Sequence, residues 1–133
     1  MEHAEKTAYW FEIAEYDLET ARAMLKTKRY LYVGFMCHQT IEKAFKGSYA
    51  AAKQTTPPYS HNLTKIAMDA EIYDALSDAQ KEFVATLEPL NIEARYPTYK
   101  EKLLKSLTEM RCRELVKSTE ELLVWIKERS SKK

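Results

Sequence analysis

The chain has 133 residues, 45% of them hydrophobic, and a formal charge of +1 at pH 7. That length suits one domain around one core, and the near-zero charge excludes a whole-molecule pull toward nucleic acid or acidic lipid, leaving only local patches. No stretch approaches the roughly 20 consecutive apolar residues of a membrane span, no basic-then-apolar secretory pattern opens the chain, and Cys37 and Cys112 lack the paired spacing of zinc ligands. A cytoplasmic protein with two buried thiols is expected.

With two glycines and four prolines, and abundant Ala, Glu, Lys and Leu, the composition favours helix. The first helix is expected over residues 3–26. Trp10, Ile13, Ala14, Leu18, Ala21, Met24 and Leu25 recur at three- and four-residue steps there. Asp17 falls inside that stripe and should face a cation across the bundle. Residues 28–30 break the pattern, and a second helix follows over 30–53. Pro57 and Pro58 close it firmly. Ser60 is the expected cap of a short third helix over 62–71, with His61 in its first turn. Ser77 or Asp78 caps the fourth helix, whose core face is Ala79, Phe83, Val84, Leu87 and Leu90. Pro89 can kink it, and Pro97 ends its helical signal. Residues 99–107 read either as a turn of helix or as a wrapped loop. Thr108 caps the last helix, with Cys112, Leu115, Thr119, Leu122, Leu123 and Ile126 inward. No strand-like alternation, repeat or low-complexity tract appears. The expected fold is all-α: an antiparallel up-and-down four-helix bundle with a short additional helix. Residues 1–129 form its single domain and 130–133 a frayed tail.

The second helix is the most informative element. At about 100° per residue it carries two stripes. Val33, Cys37, Ile41 and Ala44 make the apolar one. His38, Glu42 and Lys46 fall at i, i+4 and i+8 on the other, with Gln39 alongside, so an imidazole, a carboxylate and an ammonium stack within bonding reach. His38 and Glu42 have the spacing of a metal pair, but no second pair completes a ligand set, and neither metal nor cofactor is expected. No nucleophile motif is present. Both glycines, Gly34 and Gly47, sit within a helix, so no glycine-rich phosphate loop can form. A phosphate would have to be held by side chains, with Lys43, Lys46, His61, Arg95 and Lys100 available. Arg95 is the best placed, because Tyr96 beside it offers a stacking face and Asn91 lies one turn earlier. The competing reading is that Arg95 binds the last carbonyls of its own helix.

These fragments, taken in order, carry a resemblance. They are Trp10 with Ala14-Glu15-Tyr16-Asp17-Leu18 and Ala21; Cys37-His38-Gln39-Thr40-Ile41-Glu42-Lys43-Ala44-Phe45-Lys46; Ser60-His61-Asn62-Leu63; Asn91-Ile92-Glu93-Ala94-Arg95-Tyr96-Pro97; and Leu122-Leu123-Val124-Trp125-Ile126. Over nearly its whole length the chain resembles a HEPN domain. The resemblance implies a helical bundle that often pairs as a homodimer and is often encoded beside a minimal nucleotidyltransferase, including in toxin–antitoxin pairs. Several HEPN branches are metal-independent RNases with an arginine followed shortly by a histidine. Arg95 matches that arginine, but Lys100, Glu101 and Lys102 stand where the histidine belongs. Lysine titrates far above neutrality in water and cannot replace imidazole in proton transfer.

The expectation is therefore a dimeric binding protein without enzymatic activity of its own. It would partner a nucleotidyltransferase and contact nucleotide or RNA through Arg95 and Tyr96, with Asn91, His61, Lys46 and Glu42 in support. The alternatives are an RNase toxin that pairs Arg95 with His38 or His61, and a ligand-free interaction scaffold. No membrane partner is expected.

Overall fold

Apolar residues at helical spacing must bury one face of each long helix, and the three longest helices do so against each other. The computed structural model describes residues 3–91 and 97–131. Helix α1 spans His3–Lys26, α2 Tyr30–Lys53 and α6 Glu109–Ser131. Between them lie α3 (Leu63–Asp69), α4 (Asp78–Leu87) and α5 (Pro97–Ser106), with 3-10 turns at Tyr73–Ala75 and Glu88–Leu90. No strand occurs among the described residues. The architecture is the all-helical bundle that the sequence indicates.

Helix α2 is the centre of the bundle and touches each of the other five α-helices. Its apolar stripe, Val33, Cys37, Ile41 and Ala44, is fully buried. Burial does not stop there: His38, Thr40, Glu42, Lys46 and Ser48 are buried as well. Neighbours surround α2, so its second stripe has no solvent to face. Its glycines make the close approaches possible. A Cβ on Gly47 would lie 2.9 Å from the Phe11 ring of α1, and one on Gly34 would lie 3.3 Å from Leu90.

Local chemistry sets the ends of the elements. At the end of α1 the Arg29 N–H donates to the Met24 carbonyl and the Lys28 N–H to that of Leu25. This six-to-one and five-to-two pattern normally places glycine at the left-handed position. Here Lys28 occupies it, with φ 62°. Glu71, with φ 60°, closes α3 by the same pattern. Ser77, not Asp78, caps α4, and Gln80 reciprocates in a capping box. The Thr108 hydroxyl accepts from the Arg111 N–H at 3.2 Å, as expected of the α6 cap.

Several boundaries differ from expectation. Asn62, not Ser60, caps α3, accepting from the Lys65 N–H at 3.0 Å. Ser60 instead accepts from the Asn62 N–H, which leaves His61 in the loop before the helix. Pro89 ends α4 rather than bending it, because a ring nitrogen cannot continue the ladder and the chain tightens into a 3-10 turn. Pro97 opens a helix instead of ending one: its fixed φ and missing N–H suit a first turn. The ambiguous stretch after it is helical through Ser106, as the rest of α5. Ala79 is exposed and Phe83 only half-buried, so the core face of α4 is Val84 and Leu87. Helix α6 runs through Ser131, and the Ser130 hydroxyl bonds the Ile126 carbonyl.

Alanine at the two glycines should behave differently. Helix propensity favours Ala over Gly by about 1 kcal/mol, whereas forced overpacking costs about 1–3 kcal/mol. Gly47→Ala must displace the Phe11 ring and should lose stability, while Gly34→Ala needs only a small shift and should be near neutral. Urea denaturation of the two variants checks this order.

Candidate functional site

The site is built outward from Glu42, which lies on the inner side of α2 with 1% of its surface exposed. A carboxylate in that position must be neutralised and hydrogen-bonded. Lys46, one turn along the same helix, donates to Oε2 at 3.1 Å. His61 reaches Oε1 through Nδ1 at 2.9 Å. A carboxylate only accepts, so Nδ1 carries a proton in this contact. The imidazole is half exposed. One buried carboxylate thus holds a buried ammonium and a surface imidazole.

Two aromatic rings complete the arrangement. The Lys46 Nζ lies 5.6 Å from the centroid of Trp10 and 5.9 Å from that of Tyr59, within reach of both ring faces. Tyr59 meets His61 edge-on, with centroids 5.6 Å apart and planes at 67°. The Tyr59 side chain is 92% exposed. Trp10 comes from α1, Lys46 from α2, and Tyr59 and His61 from the loop between α2 and α3. Pro57 and Pro58 stiffen that loop, and its far end is tied down by the Asn62 cap.

His38 lies inward of this group with no exposed surface. Its Nδ1 is 3.8 Å from Glu42 Oε1 and its Nε2 4.0 Å from Glu88 Oε2, both beyond hydrogen-bond reach. Burial pushes its pKa down to about 4, a shift that Glu42 and the His61 backbone oppose and that His61 and Lys43 reinforce. Burial thus favours the neutral form of His38 at pH 7. Glu88 itself accepts from the Thr64 N–H at 3.1 Å, pinning the start of α3.

A second polar chain runs along the neighbouring face of α2. Lys43 donates to Gln39 at 2.8 Å and lies 3.6 Å from Asp17, the cation expected across the bundle. Burial raises the Asp17 pKa, and Lys43 opposes the rise. Gln39 donates to the Asn91 side-chain oxygen at 3.2 Å.

The structure therefore brings Glu42, Lys46 and His61 together and sets His38 beneath them. Asn91 sits apart, at the end of the 3-10 turn and bonded to Gln39. Arg95 and Tyr96 lie outside the described residues. Sequence reasoning missed Tyr59, and it read Trp10 only as core. The available signal was the aromatic residue two positions before His61 in a proline-stiffened loop. Among the described residues no group of three or more His, Cys, Asp or Glu is arranged to hold a metal. No helix among them is long and apolar enough to cross a membrane.

Fold and site together define a small helical domain whose central helix carries a buried carboxylate tied to a surface histidine. The HEPN domain model matches residues 7–129, and the chain belongs to the HEPN domain family. Two solved structures share its fold. One is TT1696 from Thermus thermophilus, at 20% identity and TM-score 0.78, covering 92% of this chain and 97% of the other. The second is ST0689, described as an archaeal HEPN homologue, at 22% identity and TM-score 0.71, with 94% and 98% covered. No curated protein sequence matches the chain.

His38 should make stability depend on pH. Its pKa is lowered on folding from an ordinary 6.5 to about 4. The unfolded chain therefore binds the extra proton first, and stability falls as pH drops through that window. From about pH 7 to about pH 5 the loss from this residue should be roughly 2 kcal/mol. Urea melts across that range, compared with His38→Gln, should show a shallower slope in the variant.

Proposed function

We propose that this HEPN domain is a binding module, inactive as an enzyme alone, that recognises a nucleotide or RNA and partners a minimal nucleotidyltransferase, as in a toxin–antitoxin pair. The observation that carries the ligand class is the exposed Tyr59 ring beside the Lys46 ammonium and the His61 imidazole. A base can stack on the exposed ring and its phosphate meet the half-exposed His61 imidazole, above the buried Lys46. Glu42 orients both groups and is not itself a contact. Arg95 and Tyr96 would extend the site, with the guanidinium fork for a phosphate and the second ring for a base, and Asn91 would add an amide. The partner and the homodimeric state rest on the family resemblance.

One observation favours a second reading. Of the two histidines proposed to replace the missing RNase imidazole, His38 is sealed inside, whereas His61 is at the surface with its Nδ1 proton held by a carboxylate. An RNase of this chain would pair Arg95 with His61.

Isothermal titration of mononucleotides and short single-stranded RNA tests the binding module. Binding should weaken as salt rises. Tyr59→Ala removes an exposed ring at little cost to the fold and should lose about 1–3 kcal/mol of binding per stacked base. Absence of binding heat for every nucleotide and oligonucleotide would refute the reading. RNA cleavage lost in both Arg95→Ala and His61→Ala would replace it with the second. Light scattering checks the dimer.

A further inference from the structure

Between the last turns of α2 and α6 and the turn that closes α3 lies a cleft of about 540 Å³, a volume typical of small-ligand sites. It shares no residue with the Glu42 cluster. Two polar groups border it at different depths. Ser48 is 5% exposed, and its hydroxyl has no hydrogen-bond partner among the described residues. Other helical hydroxyls return to a carbonyl one turn earlier, as Thr40 does to Met36 and Ser130 to Ile126. A buried hydroxyl without such a bond costs stability unless something else pairs with it. Arg129 stands at the rim, exposed, with its guanidinium 5.7 Å from the centroid of the half-buried Trp125 ring. That contact steadies the fork, and no carboxylate among the described residues occupies it. Glu71, on another wall, is neutralised by Lys53 at 3.0 Å. Glu128 also borders the cleft and opposes any large excess of negative charge there. Ile72 and the Trp125 ring supply apolar wall. A cleft of about 490 Å³ between α1 and α6 is similar in size, but its cation, Lys127, is already held by Glu15. A cation placed to suit the end of α6 accounts for Arg129 alone, but not for an unpaired, buried hydroxyl in the same cleft.

We infer that this cleft binds a small monocarboxylate with a flat apolar body and a second polar group at its far end. The carboxylate meets the Arg129 fork at the rim, where two parallel N–H donors match its two oxygens. The body lies along Trp125 and Ile72. The far polar group reaches the Ser48 hydroxyl, which can donate or accept. A dianion such as a phosphate monoester is disfavoured, because Arg129 is the one cation on the wall not already paired and Glu128 stands beside it. The inference does not rest on nucleotide binding, since the ligand carries neither phosphate nor base and touches other residues.

The test titrates the full chain with para-hydroxybenzoate, benzoate, para-hydroxybenzamide and phenyl phosphate, followed by NMR shifts of the protein. Para-hydroxybenzoate should saturate one site with a Kd of about 1 mM or tighter, as its ten heavy atoms permit. Benzoate, which lacks the far hydroxyl, should bind about fivefold more weakly. The uncharged amide and the dianionic phosphate should each bind about tenfold more weakly. Arg129→Gln should weaken para-hydroxybenzoate about tenfold, and Arg129→Lys should also weaken it because the fork is lost. Ser48→Ala should abolish the preference for para-hydroxybenzoate over benzoate. Arg113→Gln, on the same helix but outside the cleft, should change nothing. Both Arg129 variants alter an exposed side chain and leave the core intact, so they remain informative if Ser48→Ala disturbs the fold. No saturable shift with para-hydroxybenzoate, equal binding of the amide, tighter binding of phenyl phosphate, full affinity in Arg129→Gln, or a hydroxyl preference that survives in Ser48→Ala would each overturn the inference.

Discussion

A single buried carboxylate organises this molecule. Glu42 lies on the most enclosed helix, with 1% of its surface in contact with solvent. An isolated charge in that place would cost several kcal/mol, and removing one partner of a buried pair typically costs about 3–5 kcal/mol. Both oxygens must therefore be occupied in the folded state. Lys46 supplies one donor from the same helix and restrains little beyond itself. His61 supplies the other from another element, and in doing so it ties the α2–α3 loop to the core. The position of Tyr59 and the exposure of the imidazole follow from that tie.

Glu42 can be so enclosed because α2 is narrow where its neighbours press closest. Gly47 admits the Phe11 ring, and Gly34 admits Leu90 and Leu107. Ala44 and Ala50 are also fully or almost fully buried. Small residues on several sides let α1, α6 and the shorter helices approach together, which turns the polar stripe of α2 inward. The same economy leaves no glycine for the helix ends. Lys28, Gln54 and Glu71 take the left-handed positions instead, each accepting strain of about 1–2 kcal/mol that the surrounding hydrogen bonds and packing must offset.

Much of the fold was legible because it depends on local periodicity. The stripes of α1, α2 and α6 are long and regular, and Asp17 announced its partner by interrupting one of them. The misreadings fall where a short-range signal had two meanings. Pro97 reads equally as a stop after one helix or as the first turn of the next. Ser60 and Asn62 are both good caps, and only the backbone path selects Asn62. In the site, the spacing of His38, Glu42 and Lys46 revealed that they share a face. It could not reveal that the face is covered, since that depends on where α3, α4 and the loop return in space. Tyr59 had only a local signal, its place two positions before His61 in a proline-stiffened loop: its contact with Lys46 joins residues from different elements, and no periodicity records it.

The burial that makes the Glu42 cluster strong also separates its members by role. His38 and Glu42 contribute to the fold first, and any chemistry they support is exerted through other groups. His61 and Tyr59 lie on the outer side of the same contacts, where substitution alters the surface more than the core. Lys46 is intermediate, with a buried stem and an ammonium shared between the carboxylate and two rings. A functional effect of changing Glu42 therefore cannot be separated from its effect on stability, whereas a change at Tyr59 or His61 can. The loop is where this domain can vary its surface chemistry while the bundle beneath it stays intact.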